Sequence, residues 1–275
     1  MRRLAAPLCT VALLFAACVD TSAPPVLWDR WTAHDGESHR SVDQRAWNDF
    51  LAHYVVGDAG SERVRYSAVT AGDRAQLDAW LNAMSRVPVS RYSLREQRAY
   101  WINLYNATTV RIVLDHRGIA SVRDLSPRGL AALFAPPDPF ASRNIEVEDQ
   151  LLSLHDIRDH ILRPYWRDSR TLYALCEATA DGPPLAPVAY GAEYLDEQLE
   201  ARAKAYVNGP MALRWNGQKL LVSSFYRRYA ADFGGSDAAL PTHLRRYALP
   251  ALAQRLADVS MVAGEFRDDS LNAIQ

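Results

Sequence analysis

The sequence predicts an α+β fold: a mostly helical single domain with a small, mainly antiparallel sheet. Three observations carry this expectation. Apolar residues recur at helical spacing through most of the chain. The strand-like stretches are short, and turn residues join them as hairpins rather than crossover helices joining them in parallel. The apolar pattern runs from about residue 41 to about residue 266 with no internal repeat and no second linker.

The elements follow in order. Residues 41–53 place Val42, Ala46, Trp47, Phe50 and Leu51 on one helical stripe, and "RVRYSAV" reads as a short extended piece. Residues 74–85 form a helix with Leu77, Trp80, Leu81 and Met84 inward. The strongest helix is "SLREQRAYWINLYNATTVRIVLDHRG". Ser93 and Glu96 open it as a capping box, and His116, Arg117 and Gly118 close it. Roughly six turns without Pro or Gly make it the central helix. A Pro-rich loop spans residues 136–139, and "NIEVEDQLLSL" reads as a strand pair. Ser153 with Asp156 caps a helix expected to stop at Pro164. "TLYALCEA" reads as a buried strand. Residues 194–207 form an amphipathic helix ended by Asn208 and Gly209. "MALRWNGQKLLV" reads as a hairpin around a type I′ turn at Asn216-Gly217, followed by helices over residues 225–233 and 243–259.

The N-terminus is expected to leave the fold. Arg2 and Arg3 precede an apolar run over residues 4–17, shorter than a membrane span. The run ends Leu14-Phe15-Ala16-Ala17-Cys18, which resembles a bacterial lipobox. Residues 1–17 then form a signal peptide with Cys18 as the lipidated first residue. Residues 18–40 form a tether, 41–266 the domain, and 267–275 a tail. Val19 follows Cys18 where an inner-membrane retention signal would have Asp, so the expected location is the periplasmic face of the outer membrane. With Cys9 removed and Cys18 lipidated, Cys176 has no disulfide partner, and its apolar setting predicts a core thiol.

The net charge of −1 gives no reason to expect nucleic acid as a partner. No Cys pair or helical His pair has metal-ligand spacing, since His155 and His160 lie about 140° apart on a helix. No phosphate-cradling glycine loop is present, so no cofactor is expected. Asn103 and Asn106, three apart in the central helix, must find partners if buried. They either line a site or tie the helix to its neighbours.

Six segments come in the order of domain of unknown function family 547, which the chain resembles over roughly residues 41–235. They are "VRYSAV", "AYWINLYNATTV", "LHDIRDHILRP", "GPPL", "YLDEQLEARAKAYVN" and "VSSFYRRYAADFGG". The family typically carries Ile-Glu-His before "ILR" and Gly-Cys-Pro-Pro-Leu at the corner. The resemblance therefore implies a Cys–His hydrolase site of papain or transglutaminase kind. This chain departs at each position: Gly182 stands where the cysteine would, Asp181 for the glycine, Arg158 for the glutamate and Asp159 for the histidine. His160 is one position late and points away. Cys176 lies six residues before Gly182, about 20 Å along an extended strand.

The thiol route is thus closed. Three classes stay open. One is a non-catalytic envelope protein binding a peptide-like or cell-envelope ligand or a partner protein, attached to the membrane by its lipid. Another is a hydrolase using Thr179, Ser223 or Ser224 as nucleophile, or Asp159 and Asp181 as a carboxylate pair. The third is a structural lipoprotein. The degenerate site would comprise Asn103, Asn106, Arg158, Asp159, Thr179, Asp181, Gly182 and Ser223. Asp159, Asp181 and Asn106 gathered around an open cleft would favour the hydrolase; a filled cleft would favour the structural protein.

Overall fold

The computed structural model describes residues 26–116, 118–125 and 138–274. The expected signal peptide, Cys18, the start of the tether and the first half of the Pro-rich loop lie outside the described residues.

A 3-10 turn, Asp29–Thr32, leads to α1 (Arg45–Tyr54). The strands β1 (Val55–Val56) and β2 (Arg63–Val64) pair antiparallel ahead of a second 3-10 turn, Tyr66–Ala68. Helix α2 (Ala71–Met84) is capped by the Thr70 side chain, which accepts from the Asp73 N–H. Helix α3 (Leu94–Asp115) is the central element, and α2 and the helix carrying residues 157–162 pack against it.

Helix α3 is buried on nearly every side from Glu96 to Leu114. Its aromatic residues Tyr100, Trp101 and Tyr105 each contribute about 2–3 kcal/mol by burial. A buried helix must also satisfy its polar side chains. Gln97 donates to the carbonyls of Ala33, Val89 and Tyr92, and Arg98 donates to Asp168 at 2.9 Å and Thr171. The Ser93 hydroxyl accepts from the Glu96 N–H, as a capping box requires. The Glu96 carboxylate, however, turns to the Val42 N–H at 2.8 Å, so only half of the box forms.

After α3 come the hairpin β3 (Ile145–Val147) and β4 (Gln150–Leu152). The next helical stretch is one run in three geometries: α4 (Leu154–Asp156), a π-helical segment (Ile157–Leu162) and α5 (Arg163–Trp166). The Ser153–Asp156 capping box opens it. Pro164 does not stop it. The Arg163 N–H bonds five residues back to the Arg158 carbonyl, and Pro164 sits in the first turn of α5, where its missing N–H is tolerated.

The expected strand "TLYALCEA" is instead α6 (Arg170–Ala174) followed by an extended segment. The Asp168 carboxylate accepts the Arg170 N–H at 2.9 Å and starts the turn. Leu175 is extended, and beyond it the hydrogen-bond partners are the Asn106 side chain and the C-terminal segment rather than a strand.

Helix α7 (Leu195–Asn208) packs on α6. The loop before β2 presses onto it: a Cβ at Gly60 would lie 2.1 Å from the Ala205 carbonyl oxygen, and Gly60 has φ +88°. The strands β5 (Leu213–Asn216) and β6 (Lys219–Ser223) form the second hairpin. Asn216 pairs with Lys219, so the turn residues are Gly217 and Gln218. The turn is shifted by one position, and Gly217 alone has positive φ, as a type II′ turn requires.

The two expected C-terminal helices are both broken. Tyr229 separates α8 (Ser224–Arg228) from a 3-10 turn, Ala230–Phe233. Leu249, extended ahead of Pro250, separates α9 (Leu240–Arg245) from α10 (Pro250–Ala257). Strand β7 (Gly264–Phe266) then adds to β6 in parallel. The molecule is a mostly helical α+β domain, with three separate small sheets among the described residues where one was expected.

Both ends of the chain depart from the expected boundaries. The part of the tether that is described, residues 26–40, lies on the domain. Trp31 is buried edge-on to Trp101, Trp28 stacks on His160 at 4.4 Å, and the Asp35 N–H bonds the Tyr92 carbonyl. Residues 267–274 form no free tail. Main-chain bonds join them to Val64, Ala120, Val122, Ala178, Ala180 and Asp181. Asn272, fully buried, donates to the Cys176 sulfur at 3.2 Å and accepts from Tyr66 at 2.9 Å. This segment is a strap across the segments that form the site.

Candidate functional site

The two amides of α3 act as substitute backbone. The Asn103 Nδ2 donates to the Tyr190 carbonyl at 2.8 Å, and its Oδ1 accepts the Tyr190 N–H at 3.0 Å. Asn106 does the same between Ala174 and Cys176, both bonds 2.9 Å long. Both side chains are fully buried, and each pairs with main chain through both its nitrogen and its oxygen, so they position the chain and do not line an opening. Cys176 sits beside them, 1% exposed. Burial pushes its thiol up to about 11, so it carries almost no thiolate at neutral pH.

The corner at Asp181 is equally internal. Its carbonyl accepts from the hydroxyls of Tyr206 and Ser223, the latter at 2.8 Å, and its carboxylate accepts from Ser224 at 3.0 Å. Ser223 also caps α8 through the Phe225 N–H. Neither serine is placed as a free nucleophile. Asp159 lies in a different network: Arg158 holds both of its oxygens, and Arg163 donates to Oδ1 at 2.7 Å. Among the described residues Asp159 and Asp181 share no hydrogen-bond partner. Burial raises the Asp159 carboxyl, but the adjoining guanidinium groups outweigh it and hold it below the usual range. It is a locked anion, not a proton acceptor. His160 faces away, between Trp28 and the Val26 carbonyl.

Gly182 carries a consequence for the nucleophile position. A Cβ built there falls 2.6 Å from the Thr179 Oγ1. The Thr179 hydroxyl thus lies where a cysteine side chain would begin, and it would have to rotate aside to admit one.

An open cleft of about 210 Å³ does exist beside this corner. Of the sequence-predicted site residues it brings together only Arg158 and Thr179. The others at its wall include His155, Glu177, Arg228, Arg123, Arg267 and Asp269. Glu177 is its buried anchor. Arg158 donates to it at 2.8 Å, and Arg228 and the Tyr229 hydroxyl complete the grip. Burial raises the Glu177 carboxyl, and the charges of Arg228 and Arg158 more than reverse this, so it stays ionised. His155 is held neutral, first by burial and then by the charge of Arg158, and its Nδ1 finds no protein partner among the described residues.

The turn that presents these groups is strained. Ala178, between Glu177 and Thr179, has φ +60°, a left-handed conformation that costs a non-glycine residue about 1 kcal/mol or more. The strap holds it: the Asn272 N–H bonds the Ala178 carbonyl at 2.9 Å, and the Ala180 N–H bonds the Ser270 carbonyl at 2.8 Å.

Sequence reasoning missed His155, Glu177, Arg228, Arg267 and Asp269. Glu177 did leave a signal, because a lone carboxylate within "YALCEATA" must find a buried cation. Arg267 and Asp269 left none, since only the strap brings them to the cleft.

These features define a mostly helical α+β domain whose cleft is framed by an arginine-bearing π segment and a corner tied to the central helix. Residues 89–207 match the family described as "Protein of unknown function, DUF547". This is the family the sequence resembles, matched over a shorter span that still includes α3, the π segment, the Gly182 corner and α7. Comparison with curated proteins and with solved structures gives no match. Among the described residues no three metal-ligating side chains cluster, and no helix is long and apolar enough to cross a membrane.

Proposed function

We propose that this domain is a non-catalytic binding module of the cell envelope, in which the cleft beside Glu177 takes a small peptide-like ligand. The observation that carries the proposal is the 2.6 Å between the Thr179 Oγ1 and the Cβ position of Gly182. The Thr179 hydroxyl stands in the place where the nucleophile's side chain would begin, while the neighbouring cleft stays open. The locked carboxylate of Asp159 supports the same conclusion, because a base paired with two guanidinium groups accepts no proton near neutral pH. Asp181 and Asn106 are committed to internal bonds, which disfavours a carboxylate-pair hydrolase. The lipobox-like residues 14–18 support attachment to the envelope through Cys18, on the periplasmic face of the outer membrane.

A second reading has one observation in its favour. Thr179 and the neutral His155 line the same cleft, a hydroxyl and a base in one cavity. One experiment separates the two. The protein is incubated with a panel of short peptides and simple esters, and melting temperature and product are followed. Binding predicts a ligand-dependent rise in melting temperature that is lost when Thr179→Trp fills the cleft, with no product above the buffer rate. Product that disappears in Thr179→Ala would establish the hydrolase instead.

A further inference from the structure

We propose that the cleft holds an oxyanion, the carboxylate or phosphate group of a small ligand, on the terminal nitrogens of Arg123 and Arg267. This rests on the cleft being a binding site and adds the chemistry of what it binds. Four guanidinium groups line the cleft, those of Arg123, Arg158, Arg228 and Arg267, against the carboxylates of Asp138, Glu177 and Asp269.

Each carboxylate is already engaged. Glu177 is gripped by Arg158, Arg228 and Tyr229. Asp138 accepts the Phe140 N–H at 2.9 Å. Asp269 accepts from the Arg267 Nε at 2.8 Å and lies against the Arg123 Nε.

The guanidinium groups are not matched in the same way. Arg158 uses Nε, Nη1 and Nη2 on Asp159 and Glu177. Arg123 and Arg267 use Nε alone, and their Nη groups have no protein partner among the described residues. Because both Nε atoms meet one carboxylate, two planar forks stand as neighbours, and Asp269 neutralises only one of their two charges. A planar fork matches the paired oxygens of carboxylate and phosphate.

The forks are also well supported. Asp269 accepts the Val122 N–H at 3.0 Å and the Ser121 hydroxyl at 2.7 Å on its carbonyl, so the turn bearing Arg123 and the strap bearing Arg267 are joined at one residue. Val122 and Phe140 give the cleft an apolar wall for the body of the ligand. A volume near 210 Å³ admits a fragment the size of a peptide end, not a large cofactor.

Isothermal titration of the protein with three probes tests the proposal: N-acetyl-alanyl-alanine with a free carboxylate, its carboxamide, and inorganic phosphate. The expected result is binding of the acid, of phosphate or of both, with the amide weaker by roughly tenfold or more. The relative strength of the two anions tells a peptide end from a phosphate ligand. Arg123→Gln and Arg267→Gln should each weaken anion binding by roughly tenfold, and affinity should fall as salt rises. Circular dichroism of both variants checks that they remain folded. Equal binding of acid and amide would overturn the oxyanion assignment while leaving the cleft a binding site. Anion binding unaffected by both substitutions, or none at all, would overturn the assignment too, and the peptide panel above would still decide the binding reading by itself.

Discussion

Replacing Asn106 by leucine tests how the site is held. The amide makes two bonds to the main chain on either side of Leu175, to the Ala174 carbonyl and from the Cys176 N–H, each 2.9 Å. Leucine keeps the branched outline of the amide but offers neither partner, so a buried carbonyl and a buried N–H lose their bonds. Each stranded group costs about 1–3 kcal/mol, and the added apolar burial returns about 1 kcal/mol. The net loss is about 1–5 kcal/mol, centred near 3 kcal/mol, a large share of the roughly 5–15 kcal/mol by which a domain is stable. With an m-value of about 3 kcal/mol/M, the urea midpoint should fall by about 1 M. The segment freed by the change runs straight into Glu177 and Thr179, so the Cys176 thiol should alkylate faster in native buffer than in wild type. Asn103→Leu is the matched comparison: it strands Tyr190 instead and should destabilise without exposing Cys176. An unchanged midpoint in Asn106→Leu would refute the argument, since it would mean that the amide carries no load between α3 and the segment after α6.

Three further outcomes are expected. Burial, with the charge of Arg246 second, holds His243 down to about 4, and the Tyr173 hydroxyl lies 2.8 Å from its Nε2. A depressed histidine stabilises the fold fully above its unfolded value of about 6.5 and loses that contribution as pH falls toward 4. Stability should therefore drop by about 2 kcal/mol between pH 7 and pH 5 through this residue, and His243→Phe should flatten that slope; an equal slope in the variant would discard the assignment. Gly182→Ala should cost about 1–2 kcal/mol by urea denaturation and cost less in a Thr179→Ala background, whereas additive effects would mean that the two side chains do not compete for space. Cys18→Ser should abolish fatty-acid labelling and release the protein from membranes, and a variant that stays membrane-bound at high salt would end the lipoprotein proposal.

Local signals on the chain were legible where local physics decides. Ser93 starting α3, Ser153 with Asp156 starting α4 and the hairpin over residues 145–152 all rest on residues close in sequence to the backbone they serve. The misreadings share another cause. "TLYALCEA" is short and apolar, and a strand and a buried helix then look alike; the Asp168 cap and the packing on α7 decide for helix. Pro164 marks a helix end only in α-helical geometry, and the π segment removes the conflict. The sequence left open whether the two asparagines line a site or tie the helix to its neighbours, because their partners at Tyr190, Ala174 and Cys176 lie about 70–90 residues away, beyond any local pattern. The cleft was the least legible part. Glu177 and His155 come from its near side in sequence, while Arg228 and the strap residues Arg267 and Asp269 arrive from the far end of the chain.

Saturation-transfer-difference NMR with N-acetyl-alanyl-alanine separates binding from hydrolysis at this cleft, because one sample reports both contact and chemistry. The account predicts transfer from the protein to the peptide methyl groups, loss of that transfer in Thr179→Trp, and a peptide spectrum unchanged after a day. Growing resonances of free alanine or acetate, absent from the Thr179→Ala sample, would contradict it and make this cleft an active site.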